Sequence, residues 1–305
     1  MNNRHFRVVT RASLLALTQT KQTVLLLERA NPGCTFEITT LTTTGDRVTD
    51  TPLSKFRGIG VFVKELEKAL IDDRADIAVH SLKDVPVERV EGLMLAAFPS
   101  RKNASDLLLT ESGIAFSDLP PGAIIGTGSP RRIVQLKAQR SDLVFKDLRG
   151  NLDTRILKLS EGLYDGIIAA AAGMIRLGKA FEEKCALPFS VCLPAAGQGA
   201  LALECRESDV CAQAAVLKID ELATRLAVSC ERMFLKTVGG GCQTPIAVYA
   251  SVSESTILIS GVIGDPETGR IVRETLAMDK NKGDEAGKLL AEKLISLCKA
   301  NSIKV

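Results

Sequence analysis

Tryptophan is absent from this chain, and tyrosine and histidine occur only twice each in 305 residues. Aromatic residues make up 4% in all, which leaves few stacking platforms for single-stranded nucleic acid. An excess of one charge sign is missing as well. Lys and Arg number 39 against 36 Asp and Glu, a net charge of +3, so basic clusters are local features and a general nucleic-acid binder is disfavoured. No run approaches the ~18 apolar residues of a membrane span, and MNNRHFRVVT lacks the apolar core of a secretory signal. The expectation is a cytoplasmic protein with neither a membrane nor a nucleic acid as partner. Cysteines stand at 34, 185, 192, 205, 211, 230, 242 and 298, without zinc-type pairs and with few histidines to join them. That scatter argues against a metal site and, in a reducing compartment, against disulfides; most of these thiols read as small core hydrophobes.

What is present is an alternation of strand and helix. RVVT, a helix from Ser13 to about Ala30, FEITTLT, a helix near FVKELEKALI and DIAVHSL predict a mostly parallel α/β sheet. SRKNA at 100–104 marks a crossing to a second α/β unit built from AIIGTG, a helix from Ser129, LVFKDLRG, a helix from Asn151 and GIIAAAA. CLPAAGQGALALECR contains an apolar strand able to return to the first domain, and two crossings make a hinge with a cleft for a ligand. A helix over about 221–236, strands IAVYASV, TILISGVI and RIVRETLAM, and an amphipathic helix over 285–298 form a small α+β domain. The predicted division is 1–99 with 200–217, 105–193, and 222–305. Residues 44–60, polar and glycine-punctuated, fit a lid over a site or an ordinary long loop equally well.

Between Gly126 and Arg155 the chain reads GTGSPRR and then DLRGNLDTR, setting Arg131, Arg132, Arg149 and Arg155 beside two expected helix starts. Ser129 before Pro130, and Asn151, are N-cap residues in sequence. Helix N-termini attract anions, and guanidinium forks match carboxylates bidentately, so the segment points to a ligand with several acid groups. Asp84, in HSLKDVP, follows an apolar strand, where open α/β sheets place functional groups. It could bind a pyrrole-type N–H or stabilise a developing cation, or simply hold a turn. Cys242 follows three glycines and reads as a reactive thiolate only if nearby positive charge lowers its pKa; otherwise it is a loop cysteine.

Taken together with TRAS at 10–13, TTGD at 43–46, FVKELE at 62–67, AVHSLKDVP at 78–86, AAGQGALALECR at 195–206 and GGCQTPIAVYA at 240–250, the chain closely resembles the porphobilinogen deaminase (hydroxymethylbilane synthase) family. The resemblance runs almost end to end. It implies an α/β fold of two hinged periplasmic-binding-protein-like domains plus a small C-terminal α+β domain, in a monomer. It also implies a dipyrromethane cofactor joined to Cys242 by a thioether. Four porphobilinogens are then added head to tail with loss of ammonia, before hydrolysis releases the linear tetrapyrrole. Asp84 would be catalytic, stabilising pyrrole nitrogens and the azafulvene cation. Lys83, Thr127, Ser129, Arg131, Arg132 and Arg155 match cofactor-binding positions. Arg11, Ser13, Phe62, Arg149, Arg176 and Gln198 match those for the incoming or growing chain, which Arg155 serves too.

The chain departs from the family pattern at Ile59, where a lid lysine is usual, and at Gly239, where a glutamate is usual; Gly128, Pro130 and Leu14 replace Ser, Leu and Pro. Two other readings follow: a non-catalytic anion binder with Cys242 inert, and a degenerate deaminase that loads cofactor but turns over poorly. The full enzyme is favoured over both, because Asp84 and Cys242 have no shared purpose in a simple binder.

Overall fold

The computed structural model describes residues 4–43, 63–239 and 245–303. Ile59, Phe62, Cys242 and the whole of the expected lid, 44–60, lie outside the described residues. In chain order the elements are β1 (His5–Arg11), α1 (Leu14–Ala30), β2 (Thr35–Leu41), α2 (Lys64–Ile71), β3 (Ile77–Ser81), β4 (Leu93–Ala97), β5 (Asp106–Leu109) and β6 (Ile124–Gly126). There follow α3 (Pro130–Gln139), β7 (Val144–Lys146), α4 (Leu152–Ser160), β8 (Gly166–Ala170), α5 (Ala171–Arg176), β9 (Leu201–Arg206) and α6 (Val210–Leu217). The last part comprises α7 (Leu222–Val238), β10 (Ile246–Val252), β11 (Thr256–Gly264), β12 (Ile271–Asp279) and α8 (Gly283–Ala300). Among the described residues no helix is long and apolar enough to cross a membrane.

The chain divides into two compact units, Met1–Lys102 with Ala200–Arg225, and Asn103–Gly199 with Leu226–Val305. The first holds a five-stranded sheet of order β2-β1-β3-β9-β4. β1 runs parallel to β2 and β3, whereas β9 is antiparallel to both β3 and β4. Ile77 to His80 are all buried, as expected of a central strand covered on both faces. α1 buries Ala16, Gln19, Thr20, Thr23, Val24 and Leu27, one stripe at helical spacing, against that sheet. Its two buried threonines cost little because their hydroxyls are satisfied locally: Thr20 Oγ1 bonds Ala16 O and Thr10 Oγ1, each at 2.8 Å.

The second unit contains two sheets. One has the order β5-β8-β6-β7, with β6 parallel to β7 and β8. The other is the antiparallel meander β10-β11-β12, covered by α7 and α8 through Phe234, Leu290 and Leu294. Buried Glu231 on α7 ties its parts together, accepting from Gly197 N at 2.7 Å and Ala250 N at 2.8 Å. These elements follow the expected alternation and the expected closing α+β domain. β4, β5 and α6 went unread in the sequence, and the alanine run after Ile168 ends β8 and begins α5.

Candidate active site

In the first unit the parallel neighbours β1 and β3 end side by side, which brings Arg11 and Asp84 together. Arg11 Nη1 lies 3.9 Å from Asp84 Oδ2, and both side chains are partly exposed. Lys83 and Asp84 sit in a single tight turn, 82–84, directly after β3. Ser13 caps α1, its Oγ accepting from Ala16 N at 3.3 Å. Beneath this rim, buried His80 and Glu204 are joined at 2.9 Å between Nε2 and Oε2. Burial, and then the nearby Glu204, pushes the Glu67 carboxyl above its usual range.

The anion-binding candidates from Thr127 to Arg176 belong to the second unit and share one rim. β6 leads into Thr127–Ser129 and α3, β7 into 147–151 and α4, and β8 into α5 with Arg176 at its end. These are the carboxyl ends of parallel strands, where open α/β sheets bind ligands. Asn151 caps α4 as expected, its Oδ1 accepting from Thr154 N at 2.9 Å, and Gly150 turns into it at φ +109°, a conformation that favours glycine. Ser129 does not cap in the expected way. Its backbone is extended at the head of α3, but its hydroxyl makes no capping bond; the Ser129 N–H instead donates to Thr127 Oγ1 at 3.3 Å.

Arg131 and Arg132 are buried, each 6% exposed, and both face Asp106, which has no exposed surface. Arg131 Nη1 stands 2.8 Å from Asp106 Oδ2; Arg132 Nη2 and Nε stand 2.7 and 3.1 Å from Oδ1. Gln198 Nε2 donates to the same Oδ1 at 2.9 Å, and the Cys192 thiol to Oδ2 at 3.5 Å. Burial pulls the Asp106 carboxyl upward, but the two guanidiniums overcome it and hold it well below the usual carboxylate range. Two cations and one anion leave a single net positive charge for a ligand.

Arg149 Nε pairs with Asp147 Oδ2 at 3.2 Å. Arg155, half-buried, donates from Nε to Gly150 O at 2.9 Å and makes no ion pair among the described residues. Burial, followed by repulsion from Arg132, pushes its guanidinium down to about 10. Arg176 is buried, bonds Gly199 O at 2.7 Å, and is lowered to about 10 by burial alone. Both remain cationic at neutral pH. Like charges gathered this closely suit a polycarboxylate.

Sequence reasoning missed Asp106 and Asp147. Asp106 heads an otherwise apolar strand, DLLL, and such an acid is buried only with a basic partner; that was the one signal available. Gly239, where the resemblance implies a glutamate, has φ +75° and ends α7, its N–H bonding Leu235 O at 3.0 Å. Burial pushes the Cys192, Cys205 and Cys230 thiols up to about 12, so all three are inert at neutral pH.

Comparison with known proteins is consistent with this geometry. The family model for the porphobilinogen deaminase dipyrromethane cofactor-binding domain matches residues 6–214, and that for the porphobilinogen deaminase C-terminal domain matches 225–296. The porphobilinogen deaminase of Brevibacillus brevis is 46% identical over 88% of this chain and 88% of its own length. Those of Syntrophotalea carbinolica and Geobacillus kaustophilus are 43% and 44% identical over 97% and 95% of this chain, each across 94% of its own length. Among solved structures, the periplasmic VFT2 domain of Bordetella pertussis BvgS aligns at a TM-score of 0.41 and 15% identity, over 70% of this chain and 86% of that one. Two family models covering most of the chain, and relatives this similar over nearly their full length, place it in one family: it belongs to the porphobilinogen deaminases.

Proposed function

We propose that Asp84 is the catalytic group of this enzyme and that the arginine-rich rim of the second unit holds the acid side groups of its cofactor and substrate. The activity is that of a transferase of tetrapyrrole biosynthesis, hydroxymethylbilane synthase. It joins four porphobilinogens head to tail, releasing ammonia at each step, and frees linear hydroxymethylbilane by hydrolysis.

The family's cofactor is dipyrromethane, which presents several carboxylates. The donor set fits it. Arg132 and Arg149 are each close enough to Arg155 to repel it, and Arg155 makes no ion pair among the described residues. We assign Lys83, Thr127, Ser129, Arg131, Arg132 and Arg155 to the cofactor, Cys242 to its thioether, and Arg11, Ser13, Phe62, Arg149, Arg176 and Gln198 to the substrate and growing chain. When bound, dipyrromethane would supply the nucleophilic pyrrole carbon to which the first new unit is joined, each later unit joining the end of the growing chain. Asp84, a carboxylate at a strand end with Arg11 beside it, is suited to accept a hydrogen bond from a pyrrole N–H and to balance the cation left as ammonia departs. Buried guanidiniums anchored on Asp106 position acid groups without themselves reacting.

We also infer three domains, 1–99 with 200–217, 105–193 and 222–305, supported by three separate sheets. A cytoplasmic monomer that engages porphobilinogen, without nucleic acid, agrees with the near-balanced charge and low aromatic content. The gathering of like-charged arginines beyond the strand ends carries the functional reading.

Intact mass tests it. Protein from porphobilinogen-producing cells should exceed its sequence mass by two condensed porphobilinogen units, and Cys242→Ser should show no excess. An unmodified wild-type mass, persisting after incubation with porphobilinogen, would refute the assignment. Asp84→Ala should load cofactor yet lose at least about a hundredfold in turnover, the lower range for a positioned acid–base or electrostatic group; near-normal turnover removes Asp84 from the chemistry.

A further inference from the structure

Among the described residues, two carboxylates that meet the arginine cluster, Asp106 and Asp147, differ in kind. Asp106 is buried and bonded to Arg131, Arg132, Gln198 and Cys192, so it cannot leave. Asp147 is 56% exposed, and its carboxylate touches Arg149 Nε at 3.2 Å. Its main chain is fixed, because Tyr164 donates its hydroxyl to Asp147 O at 2.8 Å, but its side chain projects from the end of β7 with little to hold it. The space it enters is defined by a missing side chain. A methyl group on Gly128 would overlap Asp147 Oδ1, so the carboxylate lies over the backbone just ahead of α3, among the cradle residues Thr127 and Ser129. Its charge also reaches Arg155, where it opposes the effects of burial, Arg132 and Arg149.

We propose that Asp147 is an exchangeable carboxylate of this site: it competes with the acid side groups of the pyrrole chain for Arg149, and an arriving carboxylate takes its place. The inference rests on the reading of Arg149 as a substrate-binding group. Physically the exchange is mild. An exposed ion pair contributes little, so its displacement costs the substrate only a small factor in affinity, while the arginine is never left without a counter-charge. A site that must take up and move several acidic units in succession gains from such weakened grip, since a chain held too tightly would not advance.

Three variants test this. Asp147→Asn keeps the shape and removes the charge; KM for porphobilinogen should fall about two- to fivefold, the range expected from losing one exposed competing ion pair. Gly128→Ala places a methyl where Oδ1 lies, and should lower KM in the same direction. The double variant should go no further than Asp147→Asn alone, because both changes remove one interaction. A second readout is independent of turnover: phenylglyoxal should modify Arg149 faster in both single variants, as mapped by peptide mass, while Arg140, paired with Asp142 at 2.7 Å, keeps its rate. An unchanged or raised KM in Asp147→Asn, or an unchanged Arg149 modification rate, overturns the proposal. Arg149→Gln separates the two levels. If KM rises there but is unmoved in Asp147→Asn, only the role of Asp147 fails; if Arg149→Gln leaves KM unmoved, the substrate role of Arg149 fails.

Discussion

Asp106 decides what Arg131 and Arg132 can do. Without an anion between them, two buried guanidiniums would repel each other in a setting that water screens poorly, and neither would keep its direction. Asp106→Asn keeps one acceptor oxygen and removes the charge, so it should lower stability by about 3–5 kcal/mol, the range for breaking a buried ion pair from one side. Urea denaturation would measure it, and a loss below about 1 kcal/mol would mean the arginines are compensated elsewhere. In the first unit, directly before β3, Asp76 answers to acid. Burial raises its carboxyl, but hydrogen bonds from Arg7 and the pairing with Arg206 hold it down at about 2. A folded-state pKa below the unfolded one stabilises the native state above pH ~4, and that gain is lost as pH falls from about 4 to about 2. The contribution is roughly 2 kcal/mol. Thermal unfolding from pH 5 to 2 should therefore fall less steeply in Asp76→Asn than in wild type, and parallel curves would assign the acid sensitivity to other groups.

At the scale of the element, two helix starts that read alike in sequence behave differently. Asn151 spends its side chain on the backbone of α4; Ser129 does not spend its hydroxyl on α3, where Pro130 already fixes the first turn. Asn151→Ala should cost about 1 kcal/mol of stability, the usual loss of a cap. Ser129→Ala should cost under about 0.5 kcal/mol in the same denaturation experiment, yet raise KM or slow cofactor loading, because that hydroxyl is assigned to a ligand carboxylate. Equal stability losses in both would return Ser129 to a capping role. α7 shows a different economy: Gly239 closes it in a left-handed conformation where a glutamate would be strained.

At the scale of the molecule, each unit places its candidate site residues beyond the carboxyl ends of parallel strands, and the connections set which residues arrive there. Arg11 and Asp84 meet because β1 and β3 are neighbours, although the whole of α1, β2 and α2 separates them in the chain. The meander and α8 pack within the arginine-bearing unit, through Glu231 and through Arg273, whose Nη1 donates to Phe189 O at 2.8 Å. The alternation of strand and helix, the closing α+β domain and the arginine-rich rim were all legible in sequence, since periodicity, N-cap residues and charge density are local properties. Short β4 and β5 were not, because neither is preceded or followed by an α-helix that would mark a strand–helix alternation. The residues alone determined that this protein would gather guanidiniums at helix starts and set Asp84 in a turn after a buried strand. Only the tertiary structure decided that Arg131 and Arg132 are shared with a buried Asp106 while Arg149 meets an exposed Asp147. The reason is physical: burial and proximity fix the partner of a charge, and both depend on contacts between segments far apart in the chain.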